Sequence, residues 1–155
     1  GRRALAICSP TEDTGSSFVA ANLATAMAQI GVKTLVVDAN LRTPNIANLF
    51  RLDSGATGLS DYLANPDLAI DGIIQETALP FLSVITAGSL RPDPQELLSG
   101  ARFKNFMDQL LRQFELTILD TTATSRCTKR SGSGSKPSSK ATTRRPAKAR
   151  RSSPR

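Results

Sequence analysis

The chain has 155 residues, with 20 Lys and Arg, 13 Asp and Glu, two Cys and no His. Its length predicts one domain, and without histidine it cannot build a Cys/His metal site. No apolar run approaches the roughly 20 residues that a membrane-spanning helix requires, and strand-like residues from Ala4 onward argue against a signal peptide. We expect a domain of the reducing cytoplasm. Because the first residue is Gly1, we also expect a fragment or a processed piece.

The charge divides the chain into two parts. Eleven of the 20 basic residues and none of the 13 acidic residues follow Asp120, which leaves 9 basic and 13 acidic residues before it, a net charge of −4. The overall charge of +7 is therefore poor evidence that the folded part binds nucleic acid. We predict a globular domain over 1–122 and a disordered basic tail over 123–155, because the tail cannot bury enough apolar surface to fold.

Apolar strand-like runs alternate with helix-like stretches along the first part. We predict strands over 4–8, 34–38, 81–86 and 116–120. A first helix over 16–30 is indicated by large apolar residues at helical spacing: Val19, Leu23, Met27 and Ile30. Further helices are predicted over 46–51, 58–63, 68–74 and 94–100, and then along an apolar stripe from Phe103 to Phe114. This alternation predicts an α/β fold whose parallel sheet carries helices on both faces.

Polar residues end three of the predicted strands. Ser9 follows the first strand, Asp38 ends the second and Asp120 ends the fourth. In open parallel sheets, ligands bind at the carboxyl ends of the strands. The sequence therefore predicts a ligand site at this edge, although both carboxylates could instead cap loops at the strand ends.

The segment 9–18 lies between the first strand and the first helix and resembles a phosphate-binding loop. Gly15 would let the backbone approach a phosphate, and Ser17 stands where a hydroxyl would hold Mg²⁺. The segment lacks the usual G-x-x-x-x-G-K-[ST] pattern. A tight turn in which Ser16 or Thr14 caps the helix is the alternative interpretation.

Six further segments occur in a recognisable order: A-A-N-L-A (20–24), L-V-V-D-A-N-L-R-T-P (35–44), G-L-S-D-Y-L (58–63), T-A-G (86–88), P-D-P-Q-E-L-L (92–98) and F-E-L-T-I-L-D-T (114–121). Together they resemble the bacterial tyrosine kinases of capsule and exopolysaccharide synthesis. That family belongs to the P-loop ATPases, which also include septum- and chromosome-partitioning ATPases. The P-D-P-Q-E-L-L segment favours the polysaccharide branch. The likeness covers residues 4–121 and implies a P-loop fold that stops after the Walker-B-like strand.

The resemblance implies ATP and Mg²⁺ as cofactors and assigns residues to both. Backbone amides that would cradle the phosphates belong to Gly15, Ser16, Ser17 and Phe18. Arg42, in the L-R-x-P motif, is also assigned to the cofactor.

Three residues are assigned to the metal. Ser17 coordinates Mg²⁺, Asp38 binds the metal through water or acts as a base, and Asp120 orients the metal. Asp38 and Asp120 are accordingly the predicted catalytic residues.

Three departures from the family pattern concern catalysis. Ser16 stands where the family has a Lys or Arg that meets the β- and γ-phosphates. Glu12 and Asp13 place negative charge beside the phosphates, and Asn40 replaces the second acid of a D-A-D motif. We therefore expect weak or absent ATP binding and a strongly reduced rate of transfer.

The end of the chain also departs from the pattern. The family's C-terminal tyrosine cluster is absent, and Tyr62 is the only tyrosine. Without the later strands a central apolar strand should become an exposed edge, which predicts marginal stability. We expect the tail to be a frameshift product or spacer, with non-specific binding of nucleic acid or anionic surfaces as the alternative.

Two other functions stay open: a non-catalytic regulatory module, or a partitioning-type ATPase. For a kinase of the polysaccharide branch, the resemblance implies that a membrane chain-length-determinant protein is the partner and that a homo-oligomer can form. It also implies a cytoplasmic location peripheral to the inner membrane, through that partner or a missing upstream segment.

Overall fold

The computed structural model describes residues 2–9 and 15–122. The predicted tail at 123–155 and the middle of the predicted phosphate loop at 10–14 lie outside the described residues. Expectations about the tail, Glu12, Asp13 and Thr14 therefore remain predictions.

The described strands form one sheet in the order β1–β5–β2–β4–β3. Their bounds are β1 Arg3–Ser9, β2 Thr34–Asp38, β3 Gln75–Glu76, β4 Leu82–Ile85 and β5 Leu116–Thr122. β1, β5, β2 and β4 pair in parallel, which confirms the prediction for these four strands. β3 pairs antiparallel with β4 and was not predicted, because its two polar residues give no apolar signal.

Five α-helices connect these strands: α1 Ser16–Gln29, α2 Ile46–Phe50, α3 Leu59–Ala64, α4 Pro94–Ser99 and α5 Ala101–Gln113. The helix predicted over 68–74 is reduced to one 3₁₀ turn, Ile70–Gly72. The strand predicted to start at Phe81 begins at Leu82, because Phe81 has a φ of 66° and cannot continue a strand.

The core lies on both faces of the sheet, as predicted. On one face Val36 and Ile118 pack with alanines of α1. On the other, Leu35 and Val37 pack with residues of α3 and α5, including Phe106. Neighbouring residues of β2 therefore alternate between two apolar layers, which explains the continuous apolar sequence of that strand.

The buried face of α1 differs from the apolar stripe in its sequence. Ala20, Ala24 and Ala28 face the sheet and are at most 3% exposed, whereas Val19 is 55% and Ile30 is 72% exposed. Because alanine side chains are small, the helix can lie close against the strands. The stripe of large residues predicted the helix but not the face that it buries.

β1 lies at one edge of the sheet among the described strands. Leu5 is 42% exposed and Cys8 is exposed. The prediction that a hydrophobic strand becomes an exposed edge is thus confirmed within the described ranges. Over the same ranges, none of the helices has the length and apolar character needed to cross a bilayer.

Candidate functional site

Asp38 and Asp120 lie side by side at the carboxyl ends of neighbouring strands. They are register partners in the parallel pairing of β2 with β5, and both are fully buried. The β1–β5 register places Ile7 beside Asp120, so β1 ends at the same edge and leads towards α1. The sheet therefore brings both predicted acids to the position where the predicted phosphate loop begins.

Asp38 is surrounded by backbone donors. Its Oδ1 accepts the N–H of Asn40 at 3.2 Å, and its Oδ2 accepts those of Asn45 at 3.1 Å and Ile46 at 3.0 Å. The last two donors stand at the start of α2, where helical amides lack partners within the helix. Asp38 thus caps the loop and helix that follow β2, which is the role that the sequence left open as the alternative.

Asp120 has a different environment. Both of its carboxylate oxygens are buried, and neither accepts a hydrogen bond of ordinary geometry from any described residue. The hydroxyls of Ser17 and Ser16 nevertheless lie close enough to favour its charged form. A buried carboxylate without a well-formed hydrogen bond is costly, so a cation, a proton or a further donor would stabilise this group.

The two acids oppose each other's ionisation. Burial raises the pKa of Asp38 to about 7; the N–H of Ile46 lowers it, and the negative charge of Asp120 raises it. Burial also raises the pKa of Asp120, against the hydroxyls of Ser17 and Ser16. A bound divalent cation would reverse this effect and hold both acids ionised.

The start of α1 completes this edge of the sheet. Gly15 has a φ of 81° and is the residue before the first helical turn, so its left-handed conformation is one that favours glycine. Gly15 is the N-cap and Ser16 is the first helical residue, so Ser16 is not the helix cap. Ser17 is buried and directed towards Asp120. Free amides at such a helix start suit an anion.

Two predicted cofactor residues present no side chain to the buried acids. The side chain of Phe18 is 62% exposed, so only its backbone amide could meet a phosphate. Arg42 is also exposed and forms no ion pair with any residue that the structure describes. The structure thus brings together Asp38, Asp120, Ser16 and Ser17.

The donors at the site are all hard oxygens, which fits Mg²⁺. Asp120 supplies two carboxylate oxygens that accept no hydrogen bond of ordinary geometry in the described ranges, and Ser17 supplies a hydroxyl beside them. Among the described residues there is no group of three His, Cys, Asp or Glu side chains around one point. Water and phosphate oxygens would therefore have to complete the coordination of an ion held here.

The chain resembles known proteins over about three quarters of its length. No protein-family model matches the chain. It is 38% identical over 117 residues to tyrosine-protein kinase ptk of Acinetobacter johnsonii, and 34% identical over 119 residues to the putative tyrosine-protein kinase CapB of Staphylococcus aureus. These matches cover 76% and 77% of this chain but 16% and 51% of those proteins, so the chain spans about half or less of their length.

Solved structures that resemble this chain support the same relationship. The crystal structure of the chimerical protein CapA2B2 matches with a TM-score of 0.75 and 36% identity, over 81% of this chain and 54% of that one. The chain is a relative of the bacterial tyrosine-protein kinases. The septum site-determining protein MinD from Pyrococcus horikoshii, complexed with Mg-ADP, shares the fold alone, with a TM-score of 0.65 and 24% identity over 76% of this chain and 48% of that one. The predicted family resemblance and P-loop fold class are confirmed.

Tyr62 of this kinase relative is not presented to solvent. The side chain is 6% exposed, its ring lies 5.3 Å from that of Phe106, and the guanidinium of Arg102 lies 4.3 Å above it. Arg102 also donates to the backbone oxygens of Tyr62 and Asn65 at 2.7 Å. The only tyrosine of the chain is therefore part of the packing between α3 and α5.

Two motifs of the resemblance meet in space, which sequence analysis did not predict. The amides of Leu59 and Ser60 donate to the backbone oxygens of Thr86 and Ala87. A Cβ on Gly58 would overlap the backbones of Thr86 and Gly88. The glycines at 58 and 88 were the available signal, because such close contact between backbones requires residues without side chains.

Proposed function

We propose that the chain is the nucleotide-binding part of a tyrosine-kinase-like ATPase of bacterial exopolysaccharide or capsule synthesis. One observation carries this proposal: Asp38 and Asp120 lie in register at the strand ends, beside Ser17 at the start of α1. Gly15 and the amides of residues 16–18 would bind the phosphates of ATP. Asp120 and Ser17 would hold the Mg²⁺, with Asp38 acting through water or as a base.

We also propose that this copy is catalytically impaired. The hydroxyl of Ser16 carries no charge to offset the phosphates where a Lys or Arg is usual in the resembling kinases. Among the described residues, neither buried acid forms an ion pair with a cation. Mg²⁺ is then the principal counter-charge for the nucleotide, so binding should depend strongly on the metal.

A tyrosine that accepts a transferred phosphoryl group would lie on another molecule or in a further segment. Tyr62 is the sole tyrosine, and its burial under Arg102 keeps it from a kinase site. In the proposed setting the chain works at the cytoplasmic side of the inner membrane, docked on a membrane chain-length-determinant protein and able to form homo-oligomers. A regulatory module without catalysis is the second candidate. The uncharged side chain of Ser16, where the resembling kinases usually have Lys or Arg, favours it.

Binding of Mg-ATP by the intact chain tests this function by isothermal titration calorimetry. We expect weak, Mg²⁺-dependent binding by the wild type and a gain of about tenfold or more in Ser16→Lys, because a charged donor then meets the phosphates. Asp120→Asn should remove the dependence on Mg²⁺.

Ser54→Lys is the matched control, because it adds the same charge at an exposed turn. The nucleotide-binding proposal fails if Ser16→Lys binds no better than this control and the wild type shows no Mg²⁺-dependent binding. Binding without turnover in both the wild type and Ser16→Lys would favour the regulatory module.

A further inference from the structure

The turn over residues 40–43 is closed by one side chain. The Nδ2 of Asn40 donates to the backbone oxygen of Thr43 at 2.9 Å and lies 3.0 Å from its hydroxyl. The Oδ1 of Asn40 accepts the backbone N–H of Thr43 at 3.1 Å. Asn40 is 8% exposed. The backbone donor and acceptor of Thr43 fix which end of the carboxamide is nitrogen, so position 40 needs a donor and an acceptor together.

The same turn shapes the surroundings of Asp38. The amide of Asn40 donates to one oxygen of this carboxylate, while Asn45 and Ile46 donate to the other. Two residues separate Thr43 from Ile46, the first residue of α2. Closing the turn between 40 and 43 therefore sets the path of the backbone that carries all three donors.

We propose that Asn40 is a positioning residue of the nucleotide site, and that the site requires a carboxamide there. The proposal rests on the proposed function, because it concerns how the site holds Asp38. An aspartate at position 40 keeps the acceptor but loses the donor, so its oxygen would face the backbone oxygen of Thr43. It would also add a negative charge on the residue whose backbone N–H donates to Asp38.

This inference opposes the expectation from the sequence pattern. If Asn40 is only a lost acid of the D-A-D motif, Asn40→Asp should strengthen the binding of Mg²⁺ and nucleotide. If Asn40 positions the turn, the same substitution should weaken it, because the donors to Asp38 are released. The two interpretations therefore predict opposite signs for one variant.

The test combines amide hydrogen exchange with calorimetric titration of Mg-ADP, both on the full chain. In Asn40→Asp we expect the amides of Asn45 and Ile46 to exchange about tenfold faster, since one to two hydrogen bonds are lost. We expect Mg-ADP affinity to fall by a similar factor. Asn65→Asp is the control, because that exposed residue accepts a bond through Oδ1, which aspartate can keep.

The outcomes separate the two proposals. Unchanged exchange at Asn45 and Ile46, or tighter Mg-ADP binding in Asn40→Asp, overturns the role of Asn40. If neither the wild type nor Ser16→Lys binds Mg-ADP, the proposed function fails, while faster exchange in Asn40→Asp still shows that Asn40 holds the turn. Should Asn40→Asp fail to fold, Asn40→Ala replaces it, with faster exchange expected and unchanged exchange overturning the inference. A loss of stability alone would not lower the affinity of the folded chain for Mg-ADP when the titrations are compared at the same folded fraction.

Discussion

β2 and β1 flank the same strand, β5, yet their surroundings differ. All five residues of β2 are buried, with apolar layers on both faces. In β1, residues 3–6 are exposed, and among the described strands only β5 pairs with it. Packing therefore stabilises the β2 side of the site, while the β1 side depends on what binds there.

The two acids follow this contrast. Asp38, on β2, is satisfied by three backbone amides of the loop that the β2 side supports. Asp120, on β5 next to the open strand, has no hydrogen bond of ordinary geometry from the described residues. We infer that Asp38 is fixed by the fold and that Asp120 is the acid available to a cation.

Truncation of one apolar side chain on each side of the site should give very different losses of stability. Phe106→Ala should lower the free energy of unfolding by about 3–5 kcal/mol, because Phe106 is fully buried against the β2 side. Leu5→Ala on β1 should cost less than about 1 kcal/mol, since its side chain is 42% exposed. Urea unfolding of both variants measures the difference, and equal losses would contradict the contrast. If Phe106→Ala does not fold, Leu110→Ala, also fully buried, serves instead.

The second effect is a dependence of stability on pH. Burial raises the pKa of Asp38 from 3.8 to about 7 and also raises the pKa of Asp120. The folded chain therefore holds these protons more tightly than the unfolded chain, and stability should fall as the pH rises from 3.8 towards 7. Without divalent ions we expect a loss of about 2–3 kcal/mol between pH 5 and pH 8 in urea unfolding.

One control variant tests the cause of this pH dependence. Asp120→Asn should reduce the loss, because it removes the neighbouring charge that raises the pKa of Asp38. Asp61 has a lowered pKa, so its contribution to the free energy of unfolding is fully present above the unfolded value of 3.8. This contribution therefore does not change between pH 5 and pH 8. Stability that rises from pH 5 to pH 8 in the wild type would refute the prediction.

A charge on the exposed strand edge should change the stability of the fold least. Leu5→Lys should change the free energy of unfolding by no more than about 0.5–1 kcal/mol, because the residue is half exposed. It should nevertheless reduce concentration-dependent association, since a charged side chain blocks pairing at a strand edge. Sedimentation at several concentrations measures this. Equal association of the wild type and Leu5→Lys would show that the chains do not associate through β1.

The sequence could predict the alternation of strands and helices because each buried strand is a short apolar run. β2 agrees residue for residue, and Asp38 and Asp120 could be placed at one edge because parallel strands share an end. The side of α1 that packs was missed, since alanines carry a weaker signal than Val19 or Ile30.

Contacts between distant residues were beyond prediction. β3 exists only through its pairing with β4. The bond from Arg102 to the backbone of Tyr62 joins residues 40 positions apart. The closure of the turn by Asn40 depends on the conformation of Thr43, which no residue pattern specifies. The sequence therefore indicated Asn40 only as a missing acid.

The most direct measurement of the proposed site uses Mn²⁺ as a paramagnetic substitute for Mg²⁺ in the presence of ADP. Line broadening in ¹⁵N-resolved NMR spectra of the full chain reports which amides lie near the ion. We predict selective broadening at Ser17, Asp38 and Asp120 and its loss in Asp120→Asn. Broadening confined to exposed acids such as Asp67 and Asp71, with these three amides unaffected, would contradict a metal-nucleotide site at the ends of β2 and β5.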